Sequence, residues 1–438
     1  MPRIQRIGQR TPRGAIRRDS MERKQVSRSG KIRYRILALL VGLSLVSYLL
    51  RSNISVAAKF MMPELGLDEV EMGRVFSAFM LGYAIFQIPA GAWGDRRGPR
   101  LVLAVAALLW GITTFLTGLA PALAALTVLL VVRFLLGAAE AATYPVAARA
   151  VADWFPVGER TFASVVVVAG STFGMIFNGP LISTLMVAQG WRVAFLVTSV
   201  TGLLMALLWW RFATDQPADH PAITSEELAA IGADRPADTQ PFAWRTLLAD
   251  RNLGLVSISY FLDSYVLFIF IFWFYLYLTD ERGFSVLKGG YYHSLPFVAA
   301  MILMPLTGWL CDRLGRRTSR SLARRSFAFG LLTLSAAALF LGARAAEPVT
   351  AILCLSLAVG LLMSSEGPFW STVTEAAWPH SGAAGGVMNT AGNLAGVVST
   401  AVTPLMVKSI GWTGTFLTSA TMLLTAGLLW FFIRTERK

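Results

Sequence analysis

The chain alternates long apolar stretches with short polar connections. A helix needs about 20 mainly apolar residues to cross a bilayer, and it satisfies its own backbone in lipid, which an open sheet does not. The pattern therefore predicts an all-α membrane protein with twelve transmembrane helices. We place these spans near residues 36–58, 73–93, 101–120, 122–147, 161–186, 193–212, 253–278, 287–310, 326–344, 349–374, 385–408 and 413–433.

One polar insert, residues 213–250, separates the sixth and seventh spans. It predicts a loop with a short helix that Thr224 caps, because Glu227 follows three residues later as in a capping box. The domain organisation that follows is a basic arm (1–35), a six-helix half (36–212), a central loop (213–250) and a second half with a short tail (251–438).

Internal repeats support this division into two halves. GAWGDRRGPR at residues 91–100 recurs as GWLCDRLGRR at residues 308–317. QGWRVAFLVTSV, which begins at residue 189, recurs as IGWTGTFLTSAT from residue 410. Parallel repeats of this kind predict two pseudo-symmetric halves related by an axis along the membrane normal.

Charge is distributed unevenly between the two predicted sides. The chain has 39 Lys and Arg against 25 Asp and Glu, and twelve of the basic residues lie in the first 35 positions. Because basic connections mark the cytoplasmic side, we expect an inner-membrane protein with both termini in the cytoplasm. Attraction to anionic lipid headgroups explains the excess charge. Nucleic-acid binding explains this charge poorly, since the arm carries one aromatic residue, Tyr34, and no folded domain, so we expect no nucleic-acid partner.

Several charged residues lie inside apolar stretches. Arg51 is on span one, and Arg133 and Glu140 are on span four. Charges at membrane depth are costly unless they are paired or wetted, and they commonly mark a solute or ion path. The chain has no phosphate-binding GxxxxGK[ST] loop, so an ATP-driven pump is not indicated. The sequence therefore indicates a carrier that works from a gradient.

Arg51 has two interpretations. Its guanidinium can hold a carboxylate through two parallel hydrogen bonds; alternatively it forms a structural ion pair with Glu140 or Asp263. Other polar side chains on the spans are candidates for neutral contacts with a substrate, although each can equally serve helix packing. These are Tyr83, Gln87, Ser171, Asn178, Asn389 and Asn393.

The repeated loop resembles the signature loop of the major facilitator superfamily. That resemblance implies the two-half transporter fold and a latch between the halves at Asp95, Arg96, Asp312 and Arg313, with Gly91 and Gly98 in the same motif. The alternative is that these basic residues only set topology.

A narrower resemblance extends from about residue 35 to the end. The segments YLLRSNISVA, EMGRVFSAFMLGYAIFQIPAG, EAATYPVAARAVADWFPVGER and AAGGVMNTAGNLAG are similar to the anion:cation symporter family, which includes sugar-acid transporters and sialin. The resemblance implies a substrate-facing Arg51 and a proton-linked Glu140. It also aligns Tyr83, Ser171, Trp370 and Asn389 with substrate-contacting positions.

Proton coupling at Glu140 has a physical basis. Burial favours the neutral carboxyl and a nearby guanidinium such as Arg133 favours the ionised one, so alternating contact can load and release a proton. A permanent Arg133–Glu140 ion pair is the alternative. Sugar-acid members carry an Asp before the span-one Arg, where this chain has Leu50. Asp263 and Glu366 are candidates to replace that carboxyl or to bind an amine. Either can instead pair with Arg51, and Glu366 can also simply line a wet cavity.

The sequence thus predicts a transporter that imports a small organic anion with protons. An exporter or antiporter of the same fold, or a non-transporting membrane receptor, is the alternative. No nucleophile with a base and no cluster of metal ligands indicates an enzyme. We expect no cofactor and no metal, the lipid bilayer as surroundings, and a monomer.

Overall fold

The structure is a computed structural model that describes residues 32–231, 249–376 and 381–433. Residues 1–31 of the basic arm, part of the central loop and the tail RTERK lie outside the described residues. The prediction of twelve membrane-spanning helices is confirmed, with span one beginning at Ile32, before the predicted start.

The spans are longer than their apolar cores. In chain order they are Ile32–Leu65, Glu69–Arg97, Pro99–Gly118, Ala125–Trp154, Val157–Phe212 (spans five and six), Arg251–Phe272 extended by Phe274–Leu276 and a π-helical turn at Tyr277–Glu281, Val286–Arg317, Arg320–Arg344, Pro348–Thr374, and Ser381–Leu429 (spans eleven and twelve). At several ends, a capping side chain stabilises polar residues that continue the helix past its apolar core. Span two, for example, begins with a full capping box between Asp68 and Glu71.

Two of the long helices turn sharply at glycines that the sequence repeat had paired. Gly190 joins spans five and six with φ 83°, and Gly411 joins spans eleven and twelve with φ 69°. A positive φ is nearly free for glycine and strained for a residue with a Cβ. The repeat thus marks the same connection in each half.

Spans four and ten are each interrupted within the membrane. Span four consists of Ala125–Glu140 and Thr143–Trp154, and span ten of Pro348–Ser364 and Glu366–Ala376. Pro145 and Pro368 follow the two breaks and lack the N–H that a helix donates four residues back. An acidic residue lies directly beside each break: Glu140 in span four and Glu366 in span ten.

The two halves meet along three pairs of spans: one with seven, two with eleven, and five with eight. Spans five and eight touch through backbone, because a Cβ on Gly179 would overlap the carbonyl oxygen of Gly290. Ser77 of span two also donates to the carbonyl of Val397 on span eleven at 3.0 Å. Small residues permit this close approach between membrane helices.

The first part of the central loop packs on the first half. The predicted short helix is confirmed at Ser225–Ile231, and the N–H of Glu227 donates to Thr224 Oγ1 at 3.2 Å. The buried Glu227 carboxylate also accepts the Arg33 N–H at 2.9 Å. Glu227 therefore anchors this helix to the start of span one.

Candidate functional site

Arg51 is enclosed in the middle of span one and is only 3% exposed. Its Nε donates to Glu140 Oε2 at 3.1 Å, which is an ion pair between spans one and four. The guanidinium carbon lies 4.4 Å from the ring centre of Tyr48, 4.5 Å from that of Tyr83 and 5.0 Å from that of Phe79. Aromatic faces attract a cation, so this cage holds the guanidinium in a fixed place.

Arg133 does not form the ion pair with Glu140 that was one alternative from the sequence. Its two terminal nitrogens donate to the Leu50 carbonyl at 3.3 Å and to Asn53 Oδ1 at 3.2 Å. Within the described part of the chain, the ion-pair partner of Glu140 is Arg51, and Arg133 instead ties span four to the backbone of span one. Glu140 is fully buried, and its Oε1 has no hydrogen-bond partner among the described atoms.

The neutral candidates fall into two groups. Asn178 and Ser171 are bound to backbone, since Asn178 Nδ2 donates to the Ser52 carbonyl at 3.1 Å and Ser171 Oγ to the Val168 carbonyl at 2.6 Å. Asn393 Nδ2 donates to Gln87 Oε1 at 3.0 Å and thereby joins the two halves. Asn389 is half-buried one turn before Asn393. Of these candidates, Tyr83 contacts Arg51 and Gln87 contacts Asn393. Asn178 instead joins span five to the backbone of span one.

A second polar cluster lies in the other half. The Tyr260 hydroxyl lies 3.1 and 3.2 Å from the two Glu366 oxygens, and Trp370 Nε1 donates to Oε2 at 2.8 Å. One turn further along span seven, the fully buried Asp263 accepts from Ser365 Oγ at 3.1 Å. Asp263, Glu366 and Trp370, which were separate candidates in the sequence analysis, thus lie in one cluster.

A comparison with known protein families now identifies the architecture. The model of the Major Facilitator Superfamily matches residues 40–399. The chain belongs to the major facilitator superfamily. It is therefore a multi-pass membrane transporter, and the fold predicted from the repeats is confirmed.

Individual relatives within the superfamily transport organic acids. The chain is 34% identical to a probable sulfoacetate transporter of Cupriavidus necator, over 87% of this chain and 89% of that protein. It is 30% identical to a hexuronate transporter of Bacillus subtilis, over 88% and 89%, and 30% identical to a D-galactonate transporter of Escherichia coli, over 88% and 92%.

A solved structure supports the same fold. A bacterial homologue of the human lysosomal transporter Spinster, in an inward-facing and unoccupied conformation, superposes with a TM-score of 0.76 at 17% identity. The match covers 94% of this chain and all of that one.

The superfamily's repeated loop is mostly helical in this chain. Asp95 and Arg96 lie in the last turn of span two, and Asp312 and Arg313 lie within span eight, so the prediction that these four residues lie in loops is wrong. Gly98 forms the turn with φ 82°, and Gly91 packs against Pro145. In the second copy the turn comes later, after Arg317.

Asp95 is linked within its own half. Arg149 of span four donates to the Asp95 carboxylate at 3.2 Å and to its carbonyl at 2.8 Å. Arg96, Asp312 and Arg313 are exposed. The end of the bundle that carries these residues and the central loop is called the basic end below.

The other end of the bundle, called the acidic end, is joined across the halves. Lys59 of span one forms an ion pair with Asp280 of span seven. Gly179 and Gly290 come together between the middle of the bundle and this end. These contacts show a transporter whose halves are joined at the acidic end.

Replacing Lys59 with glutamine should loosen that end. An exposed ion pair contributes up to about 1 kcal/mol, so we expect the labelling rate of a cysteine introduced at the buried Leu276 to rise by up to about fivefold. The experiment uses a background in which Cys311 and Cys354 are replaced by serine.

The matched control for Lys59→Gln is Arg192→Gln. It breaks the Arg192–Glu64 ion pair at the same end, where both partners belong to the first half. That variant should leave the labelling rate at position 276 unchanged. An unchanged rate in Lys59→Gln as well would show that the ion pair does not hold this end closed.

Sequence reasoning missed several members of the site. Tyr48, Phe79 and Asn53 contact the buried arginines, and Tyr260 contacts Glu366. Tyr48 and Tyr260 are polar aromatics at membrane depth, which is a signal available in the sequence. Which charged residue each one meets depends on how neighbouring spans are rotated, and no local pattern encodes that rotation.

Proposed function

We propose that this transporter imports a small organic carboxylate together with protons by alternating access. The observation that carries the proposal is the Arg51–Glu140 ion pair, which is buried within an aromatic cage at membrane depth. Charged groups are retained at such depth mainly for substrate and proton pathways. The organic-acid relatives support the same class of substrate.

Arg51 is the proposed anion-binding group. It contacts Glu140 through Nε alone, so the terminal nitrogens that can grip a carboxylate are not used in that ion pair. A guanidinium binds carboxylates bidentately, which fixes orientation as well as charge. Tyr83 touches the same guanidinium, and Gln87, Asn389 and Asn393 lie on the facing spans two and eleven. We assign these residues to the substrate path, with Ser171 and Trp370 in the same proposed role and Asn178 in a supporting one.

Glu140 is the proposed proton carrier. An incoming carboxylate and Glu140 are both anions that seek the same guanidinium, so protonation of Glu140 removes the competitor. Its free Oε1 gives the proton an oxygen that no other described group occupies. Arg133 stabilises the neighbouring backbone and adds positive charge, and Asp263 and Glu366 remain candidates for a further proton.

The orientation follows from the charges of the two ends. If the basic end faces the cytoplasm, as the distribution of Lys and Arg favours, the described state is closed to the outside and corresponds to the inward-facing state. Gly91, Asp95, Arg96, Gly98, Asp312 and Arg313 are proposed to latch the basic end in the alternate state. The inner membrane, with both termini cytoplasmic, is the proposed location.

The Glu140→Gln variant tests the proton step. The amide mimics a carboxyl that never releases its proton, so exchange of labelled substrate across a membrane should persist while uphill accumulation is lost. We expect accumulation driven by an acid-outside pH gradient in proteoliposomes to fall to the level reached without a gradient. The substrate used is the organic acid that most stabilises the purified protein in a thermal-shift screen.

The exposed Glu226→Gln variant on the central-loop helix is the matched control and should accumulate substrate as the unmodified protein does. Full gradient-driven accumulation by Glu140→Gln would leave Glu140 a structural acid. If no organic acid stabilises the protein or crosses the membrane, the proposed function itself is wrong.

A further inference from the structure

The two halves build related sites that differ in one component. In the first half, the acid beside the span-four break, Glu140, meets a cation on span one, Arg51. In the second half, the acid beside the span-ten break, Glu366, meets a tyrosine on span seven, Tyr260. The acid of the second site thus contacts a phenol, whereas the acid of the first contacts a guanidinium.

Glu366 is held by two hydrogen-bond donors of its own half. Its two oxygens lie within hydrogen-bonding distance of the Tyr260 hydroxyl, and one also accepts the Trp370 indole N–H. These contacts satisfy lone pairs of a carboxylate without neutralising its charge. Glu366 is partly exposed and Trp370 is 41% exposed, so a solute can reach this carboxylate.

Asp263, one turn after Tyr260 on span seven, adds a second carboxyl group to this cluster. It is fully buried, its Oδ1 accepts from Ser365, and its Oδ2 has no hydrogen-bond partner among the described atoms. The ion pairs of the described residues include neither Asp263 nor Glu366. Buried charges are normally paired, so an ionised carboxylate in this half would need a cation that the described side chains do not supply.

The two sites lie on spans that meet at the boundary between the halves. Arg51 and the Tyr48 ring that packs on its guanidinium are on span one, and Tyr260 is on span seven, which contacts span one. Tyr260 in turn contacts Glu366. A solute between the halves therefore meets a positive group on one side and a negative group on the other.

We propose that Glu366 binds the ammonium group of a zwitterionic organic acid whose carboxylate is held by Arg51. This proposal rests on the proposed function, because it takes the Arg51 site as the place where the acid binds. An ammonium group donates three hydrogen bonds and compensates the negative charge, whereas a hydroxyl leaves the charge in place and a second carboxylate is repelled. The indole face of Trp370 adds a surface that attracts cations.

The experiment measures binding of three probes of equal length that differ at one end: γ-aminobutyrate, γ-hydroxybutyrate and succinate. The set is repeated one methylene shorter with β-alanine, β-hydroxypropionate and malonate. Affinities come from the thermal shift of the purified full-length transporter. In one of the two sets or both, we expect the amino acid to bind at least about tenfold tighter than the hydroxy acid, as for a charge-assisted hydrogen bond, and the dianion to bind weakest.

The Glu366→Gln variant should bring the ratio of amino-acid to hydroxy-acid affinity close to one, with binding of the hydroxy acid preserved. Glu347→Gln, at the exposed residue that caps the start of the same span, is the matched control and should leave the ratio unchanged. A separate measurement, proton-driven uptake, reports the proposed function.

The outcomes separate the two proposals. Tighter binding of the hydroxy acid or the dianion in both sets overturns the ammonium site, as does an unchanged ratio in Glu366→Gln, which would indicate a proton site instead. Arg51-dependent transport of acids that lack an amine, without any response to the amino acids, overturns the ammonium site alone. Absence of transport of any organic acid overturns the proposed function.

Discussion

Replacement of Arg51 with lysine should abolish most transport although the positive charge is kept. The present guanidinium lies among Tyr48, Phe79 and Tyr83 while its Nε holds Glu140. A lysine ammonium is a compact point charge that cannot bind Glu140 and present a planar fork to a carboxylate at the same time. Loss of one charge-assisted hydrogen bond of about 1.5–3 kcal/mol predicts a fall of about ten- to a hundredfold in affinity.

The measurement is the concentration dependence of uptake in proteoliposomes, with substrate binding followed in parallel by thermal shift. Arg74→Lys, at an exposed position on span two, is the matched control and should transport normally. Uptake by Arg51→Lys within a factor of two or so of the unmodified protein would be incompatible with a bidentate clamp.

A valine at Gly179 should stop the transport cycle while leaving the protein folded. Gly179 and Gly290 are in backbone contact between spans five and eight, and any Cβ at position 179 would overlap the Gly290 carbonyl. Overpacking typically costs about 1–3 kcal/mol. Here it destabilises the conformation in which the acidic end is closed. Because alternating access needs that state, we expect uptake to drop to a tenth or so of normal or lower.

Labelling at position 276 of the acidic end should rise in the same variant, which distinguishes a shifted equilibrium from an unfolded protein. Gly254→Val is the matched control, because nothing lies within 4 Å of a Cβ at that helical position. Normal uptake by Gly179→Val would mean that spans five and eight need not approach each other closely during transport.

The fold followed from sequence because lipid leaves the chain few options. Helices must satisfy their own backbone and need a fixed apolar length, so counting apolar stretches recovered all twelve spans. The ends were less accurate. Span two extends from Glu69 to Arg97, beyond the predicted 73–93, because capped polar turns continue a helix past its apolar core.

The site was only partly accessible from sequence. Arg51 and Glu140 stood out as charges in apolar stretches, and their ion pair, which the sequence analysis had considered, is present in the structure. The break in span ten had a local signal, the Gly367–Pro368 pair, because glycine and proline interrupt helices. The aromatic cage around Arg51 had none, since it depends on how spans one and two are rotated against each other.

If a substrate carboxylate and Glu140 share the Arg51 guanidinium, as proposed, a thermodynamic reciprocity follows. Whatever factor the bound substrate adds to the proton affinity of Glu140, the bound proton must add to the affinity for substrate. A carrier whose two ligands assist each other in this way is rarely half-loaded. In the proposed proton symport, the Arg51–Glu140 ion pair is the arrangement without substrate or proton, and a carrier that returns in this state does not dissipate the gradient.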